Sequence, residues 1–438
     1  MQAAILSIGD ELTLGQNVDT NSAWLAGQLL ARSVVTIEHR TVGDDRAAIA
    51  EAVASLAGRC DLLLMTGGLG PTADDLTRQA LGDVFTPGEE LVSDEEAVES
   101  IRRWFAGRRT KMPPSNLSQA TRPRTMRLLA NGHGTAPGLA GEHEGCAIHA
   151  LPGPPREMKG MFQEHVLPQL PPPEEGRCML TETVHAFGIG ESRAEQLLGD
   201  LTARDRRPTV GMTAGEAIIT ARIRLMGEPR EARPRLEETA VRIEQTWAPY
   251  CFGRGDVTLP QAVGGLLRSV RQSVVTAESC TGGWLGKMIV DVPGSSEYYR
   301  GGWVTYANDM KASCLDVPVD LIERCGAVSA PVAEAMAQGA IRHSRADWSL
   351  AITGVAGPDS GGPGKPAGTV FIALASRRQD EIHVRLRRFA FRGDRAMVRD
   401  RSAMAALQML RFALRGVGDD QPLLWESAGP EPEQVDGL

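Results

Sequence analysis

The stretch Val274-Val275-Thr276-Ala277-Glu278-Ser279-Cys280-Thr281-Gly282-Gly283 runs from an apolar pair into a polar turn ended by two glycines, and the helix-like Trp284 to Val290 follows at once. A strand, a tight turn and a helix in that order are where an α/β sheet presents backbone N–H groups to an anion and a hydroxyl or thiol to an electrophile. The same alternation recurs on both sides of it, so the chain reads as an α/β protein.

Working outward, the unit from 258 to 415 opens with a helix at Pro260 to Arg271. It continues with strands at Gly302 to Tyr306, Trp348 to Thr353, Gly368 to Leu374 and Ile382 to Phe389, and with helices at Val332 to His343 and Asp394 to Leu414. Besides the opening turn, three polar segments stand out: Thr305 to Lys311, Thr353-Gly354 to Gly362, and Phe391 to Arg395. None contains a histidine. A nucleophilic serine then needs a lysine as its base, and Lys311 is the candidate for Ser279. Lys311 would have to lose its proton below the ordinary value of about 10.4, through burial or a cationic neighbour such as Arg395. Arg395 has the alternative of gripping a phosphate, and Tyr306 of relaying a proton. Cys280 is a rival nucleophile at a helix N-terminus, although its side chain and that of Ser279 should diverge. The third reading is a phosphate nest of Ser279, Thr281, Gly282 and Gly283 without covalent chemistry. Residue types leave these three open.

Residues 1–170 form another alternating unit, with strands at Ile5 to Ile8, Val34 to Ile37 and Asp61 to Met65 and helices opened by Asp19-Thr20-Asn21 and Asp44-Asp45. This predicts a mainly parallel sheet with ligands at the carboxyl ends of its strands. Three loops belong there: Gly9-Asp10-Glu11, Val42 to Asp45, and Thr66 to Thr77 with Gly67, Gly68, Gly70, Asp74 and Asp75. Such glycines admit a phosphate, and such acids hold ribose hydroxyls or a hard divalent cation. The same residues also shape turns and cap helices in proteins that bind nothing. Asn131 to Gly138 and Leu151 to Met158 are two further loops placed to line that cleft.

Leu170-Pro171-Pro172-Pro173-Glu174-Glu175-Gly176 reads as a linker. Residues 177–254 read as a small α+β connector, and the acidic 416–438 as a disordered tail. With 47 basic and 55 acidic residues the net charge is −8, which favours neither nucleic acid nor an anionic membrane as partner. Seven cysteines without a CxxC pair suggest neither a disulfide framework nor a zinc site. With no leader and no transmembrane-length apolar run, a cytoplasmic protein is expected. Only five of the basic residues are lysines.

Taken together, SIGDELTLGQ, VGDD, TGGLGPTADDLT and LPGPPREMK in the first unit, and AESCTGG, VTYANDMK, GAVS, TGVAGP and FRGDR in the third, resemble the CinA family (competence/damage-inducible protein A) over nearly the whole chain. The resemblance implies a molybdopterin-binding-like (MoaB/MogA-like) three-layer α/β domain, a KH-like connector and a C-terminal α/β deamidase domain. It implies an amidohydrolase that converts nicotinamide mononucleotide to nicotinate mononucleotide and ammonia without a cofactor. Ser279 would be the nucleophile, Lys311 its base and Tyr306 a helper in proton transfer, with Thr353, Gly354 and Arg395 binding substrate. For the first unit it implies a divalent-metal-dependent ADP-ribose pyrophosphatase using Asp10, Asp44, Asp45, Asp74 and Asp75, with Asp44 and Asp75 as metal ligands. It further implies a homodimer acting in the recycling of NAD breakdown products. The chain departs from the family pattern at Pro113 to Ala120, where no lysine follows Lys111. The alternatives are a non-enzymatic partner protein in competence or recombination and a molybdopterin-handling protein.

Overall fold

The computed structural model describes residues 1–108, 110–172, 178–362, 364–379 and 381–427. They fall into two compact units, one of Met1–Leu180 with Met226–Arg233, the other of Thr181–Leu225 with the described chain from Pro234 onward. Of the linker expected at 170–176, residues 173–176 lie outside the described residues.

The strands of the first unit are β1 (Gln2–Ile8), β2 (Val35–Val42), β3 (Leu62–Thr66), a separate two-stranded ribbon β4 (Val92–Ser93) with β5 (Thr121–Arg122), then β6 (Arg127–Leu129), β7 (Gly138–His143) and β8 (Cys146–Leu151). The main sheet has the order β2-β1-β3-β8-β7-β6. Its first four strands are parallel, while β7 and β6 return antiparallel. Both faces are covered. Ala4, Leu6 and Ile8 pack in the same cluster as Ile49, Val53 and Leu56 of the helix Arg46–Ala57. Ala3 and Ile5 pack on the other side with Leu25 and Leu29 of the helix Thr20–Ala31. The period of two along β1 thus separates two cores, and a strand buried on both faces reads as one continuous apolar run. The antiparallel hairpin escaped the sequence reading because glycine interrupts it. Gly141 is required there, since a Cβ would stand 2.8 Å from the Phe85 ring.

In the second unit the connector is a four-stranded sheet of β9 (Cys178–Phe187), β10 (Thr209–Gly215), β11 (Ile218–Gly227) and β12 (Cys251–Arg254), ordered β10-β11-β9-β12. The remainder is a five-stranded sheet of β13 (Val274–Glu278), β14 (Tyr299–Val304), β15 (Trp348–Gly354), β16 (Thr369–Arg378) and β17 (Glu381–Ala390), ordered β14-β13-β15-β16-β17. Strands β14, β13 and β15 run parallel, and β16 and β17 are antiparallel.

The helix Arg395–Leu414 is buried almost all round from Ser402 to Phe412 because it is enclosed on two sides. One side packs in the sheet's apolar core; on the other, Gln408 Nε2 donates to the Phe187 carbonyl at 2.9 Å, and the Arg411 guanidinium donates to the carbonyls of Pro249 (2.8 Å) and Cys251. Burial pushes the Arg411 guanidinium down to about 10. These bonds tie the connector to the C-terminal sheet. Among the described residues no helix is long and apolar enough to cross a membrane.

The expectation of disorder from 416 onward needs correcting for residues 416–427; 428–438 lie outside the described residues. Leu423 is buried, the Tyr250 hydroxyl donates to the Pro422 carbonyl at 2.8 Å, and Glu426 accepts from Arg387 Nη1 at 2.7 Å. The short apolar run Leu423-Leu424-Trp425 anchors an otherwise acidic, proline-rich segment, and composition averaged over the tail hides it. Ending the chain at Gly418 removes the burial of Leu423, which contributes about 1.5–3 kcal/mol, and leaves Arg387 without its carboxylate. Calorimetry should show the melting temperature lowered by about 4–10 °C; an unchanged value would mean the segment contributes nothing.

Candidate active site

Because β14, β13 and β15 are parallel, their carboxyl ends meet at one edge of the sheet, and each delivers part of a site. Strand β13 ends at Glu278 and hands on Ser279; β14 leads into Thr305 and Tyr306; β15 ends with Thr353 and Gly354. The Ser279 N–H donates to the Ile352 carbonyl and the Thr305 N–H to the Glu278 carbonyl, so the ladder extends one step beyond the strands and fixes the turn between its neighbours.

Side-chain alternation then sorts the turn. Val275 and Ala277 face the core layer that contains Leu315 and Val332, whereas Val274 and Cys280 belong to the opposite layer, with Leu285 and Ile289. Ser279 continues the first set and reaches Lys311, on the helix Asn308–Leu315. Cys280 is buried in the other layer, and burial pushes its thiol up to about 12. Cys280 also borders the cavity onto which Ser279 opens, but a thiol whose proton is held this tightly is a poor nucleophile.

Lys311 Nζ lies 3.3 Å from Ser279 Oγ, 2.9 Å from the Thr305 carbonyl and 3.2 Å from the Tyr306 carbonyl. The side chain is 1% exposed, and no carboxylate pairs with it among the described residues. Desolvation holds its pKa below the ordinary 10.5. The lowering comes from burial rather than from Arg395, one of the two causes the sequence left open. A neutral amine has two N–H donors and one lone pair. A charged ammonium would donate to all three oxygens, whereas the neutral amine, with its donors on the two carbonyls, would turn its lone pair to the Ser279 hydroxyl.

A cavity of about 300 Å³ opens onto this pair, lined also by Tyr306, Thr353, Gly354 and Arg395. Thr353 Oγ1 donates to the Ala327 carbonyl at 2.8 Å, and Arg395 donates to the Gly357 carbonyl (2.8 Å) and the Tyr306 hydroxyl (3.1 Å). Tyr306 therefore meets Lys311 through its carbonyl, while its phenol stands 61% exposed at the mouth beside Arg395. Thr281, Gly282 and Gly283, expected to touch substrate, do not line the cavity. Thr281 is buried with its carbonyl on Arg399 (2.7 Å), and the two glycines serve the turn with φ of +58° and +89°. The phosphate nest is altered as well. The buried Glu278 carboxylate already accepts the N–H groups of Leu285 (3.0 Å) and Gly286 (2.8 Å) at the start of the next helix. Neither the Cys280 nor the Thr281 N–H donates to a backbone carbonyl among the described residues, and the Cys280 N–H is directed at its own sulfur. Sequence reasoning missed Glu278, Asn308 and Asp359. An acid closing a buried strand six residues ahead of a helix is the signal for Glu278; the other two carry none.

In the first unit a cavity of about 440 Å³ lies at the carboxyl ends of β1, β3 and β8, lined by Glu11, Asp44, Gly67, Gly68, Gly70, Asp74 and Asp75 among others. Parts of both extra loops, Thr135-Ala136 and Pro152 to Pro154, line it too. Four of the five aspartates expected there, however, are engaged by backbone N–H groups, and two of those four, Asp10 and Asp45, do not line the cavity. Asp75 accepts from the N–H groups of Gly70 (2.7 Å) and Thr72 (2.8 Å) and from the Thr72 hydroxyl. Asp10 and Asp44 each accept the other's backbone N–H, at 3.1 and 3.0 Å. Asp45 caps the helix Arg46–Ala57 through the Ala48 N–H and does not line the cavity. Burial, and then the nearby Asp10, Glu11 and Asp74, raise the Asp44 pKa. Among the described residues no group of three His, Cys, Asp or Glu side chains is arranged to hold a metal ion. The pairing of Asp44 with Asp75 as metal ligands thus does not fit a geometry in which both Asp75 oxygens shape their own loop.

The family models follow the same divisions: a probable molybdopterin binding domain over residues 4–172, the CinA KH domain over 181–253 and the CinA C-terminal domain over 256–414. A CinA-like protein of Geobacter metallireducens is 40% identical over 94% of this chain and 99% of its own length. The chain belongs to the CinA family. Another CinA-like protein, from Gemmatimonas aurantiaca, is 37% identical over 98% of this chain and all of its own. Among solved structures, CinA of Thermoplasma acidophilum is 30% identical, covering 37% of this chain and 94% of its own, with a TM-score of 0.35. Membership brings a MoaB/MogA-like N-terminal domain, a KH connector and a CinA C-terminal domain to this chain.

If Asp75 is a loop anchor, Asp75→Ala should destabilise the first unit by about 1–3 kcal/mol, the range for hydrogen bonds to a charged group. Denaturant titration would detect it, and an unchanged midpoint would return Asp75 to the pool of free carboxylates.

Proposed function

We propose that the C-terminal domain is an amidohydrolase that converts nicotinamide mononucleotide to nicotinate mononucleotide and ammonia. The observation that carries this reading is the buried Lys311 amine, without a carboxylate partner and 3.3 Å from a serine hydroxyl that opens onto a cavity. Ser279 Oγ attacks the carboxamide carbon while Lys311 Nζ takes its proton. The C–O bond forms as the carbonyl π bond opens to an oxyanion, for which the Thr281 N–H, with no carbonyl partner among the described residues, is the available donor. Collapse breaks the C–N bond, with the proton on Lys311 passing to the nitrogen so that ammonia leaves. Water, deprotonated by the same lysine, then releases the carboxylate from Ser279. Arg395, exposed at the cavity mouth with donors to spare, suits the nucleotide phosphate.

ADP-ribose pyrophosphatase activity is not part of this proposal, because the carboxylates expected to hold its metal are committed to loops.

Ammonia release from nicotinamide mononucleotide tests the reading directly. Ser279→Ala and Lys311→Met should each lower kcat/KM by about a thousandfold or more, while Cys280→Ala retains most of kcat. Since the neutral amine is the base, kcat/KM should rise with pH through the lowered pKa of Lys311 and level off below 10.5. Wild-type rates in the Ser279 variant would end the serine mechanism.

A further inference from the structure

The second unit holds a further cavity, larger than the one at Ser279. A space of about 720 Å³ lies between the connector strands and the first helices of the C-terminal domain, and its walls share no residue with the catalytic cavity. Junctions between domains are common places for small ligands, and this one is large enough to enclose one.

Its walls specify a chemistry. Three rings contribute: Trp284, Phe252, and His185 stacked on Phe252 with centroids 5.9 Å apart. The His185 ring is held in place through both nitrogens, on Thr220 Oγ1 (2.9 Å) and the Gly255 carbonyl (2.7 Å). Trp284 is likewise fixed, its Nε1–H on Asp400 at 3.1 Å. The charges around these rings are one-sided. Glu216, Asp256, Asp291 and Asp400 line the space against a single cation, Lys287. Lys287 is spent on Asp291 at 2.5 Å and on the Trp284 ring, 5.2 Å from its centroid. Glu216 and Asp256 meet no cation among the described residues.

From these walls we infer that the cavity is a second ligand site, for a small organic cation carrying an aromatic or alkyl body. The surplus carboxylates attract a cation, and the fixed rings give its apolar body a surface to pack on. The same carboxylates repel phosphate-bearing molecules, so the occupant differs in class from a nucleotide at Ser279. They also disfavour the chain's own residues 428–438, which contain three acids and no lysine or arginine. The site stands directly behind the nucleophile turn: Trp284 opens the helix that follows Gly283, and Arg399, whose guanidinium lies 5.8 Å from the Trp284 ring, bonds the Thr281 carbonyl.

Calorimetric titration of the full-length protein with benzyltrimethylammonium, which has no amide for Ser279 to attack, tests the inference without reference to catalysis. One saturable site per chain is expected. Affinity should fall by at least about tenfold in the double variant Glu216→Lys, Asp256→Lys, both at exposed positions, and should be unchanged in Ser279→Ala; benzoate should not bind. The inference is overturned if no saturable binding occurs up to millimolar probe, or if the double variant binds as well as the wild type. It is equally overturned if the double variant abolishes a concentration-dependent self-association instead, since the cavity would then be covered by a second copy of the chain.

Discussion

The proposed chemistry of the second unit depends on one buried lysine, Lys311, that has two carbonyls to donate to and, among the described residues, no carboxylate to pair with. An ammonium in that position has lost most of its water and gains no ion pair among the described residues in return, so its proton is held less tightly than that of an exposed lysine. The arrangement rests on strand pairing: Thr305 and Tyr306 follow β14, and the Thr305 N–H on the Glu278 carbonyl holds that end against β13. The period of two along β13 places the Glu278 carboxylate on the helix Trp284–Val290 while Ser279 reaches Lys311. Had the carboxylate stood on the side of Lys311, it would have kept the amine charged. Glu278 also satisfies N–H groups that open the next helix, so the turn is held at both ends around Ser279.

The first unit uses similar loops in another way. Asp75, Asp45 and the Asp10–Asp44 pair all spend carboxylate oxygens on backbone N–H groups, which makes the loops at its sheet edge rigid. Glycine serves the same end: Gly68 has a φ of +63°, and a Cβ at Gly70 would stand 2.5 Å from an Asp75 oxygen. Glu11 and Asp74 are left to face the cavity without such duties.

Much of this was legible in the sequence wherever one local rule applied. Asp19 and Asp45 cap the helices they were expected to open, and the apolar runs at Ile5, Leu62 and Val274 lie in buried strands. Divergence of Ser279 and Cys280 followed from alternation alone. What sequence could not choose was which of them faces Lys311, because that depends on pairing between strands some 25 residues apart, β13 and β14. The β6–β7 hairpin and the anchored segment around Leu423 were missed for a related reason: each is short, interrupted by glycine or acid, and stabilised by distant partners. Thr281, Gly282 and Gly283 were read as ligand contacts because glycine at a turn carries the same signal whether it admits a ligand or only a positive φ.

The scarcity of lysine makes the central claim directly measurable. The chain has five, at 111, 159, 287, 311 and 365, so lysine labelled with carbon-13 at Cε yields five resonances whose titrations can be followed by NMR. The account predicts that one of them, absent in Lys311→Met, titrates below the ordinary 10.5. Five resonances titrating together near that value would contradict it, for Lys311 would then be a charged side chain and no base for Ser279.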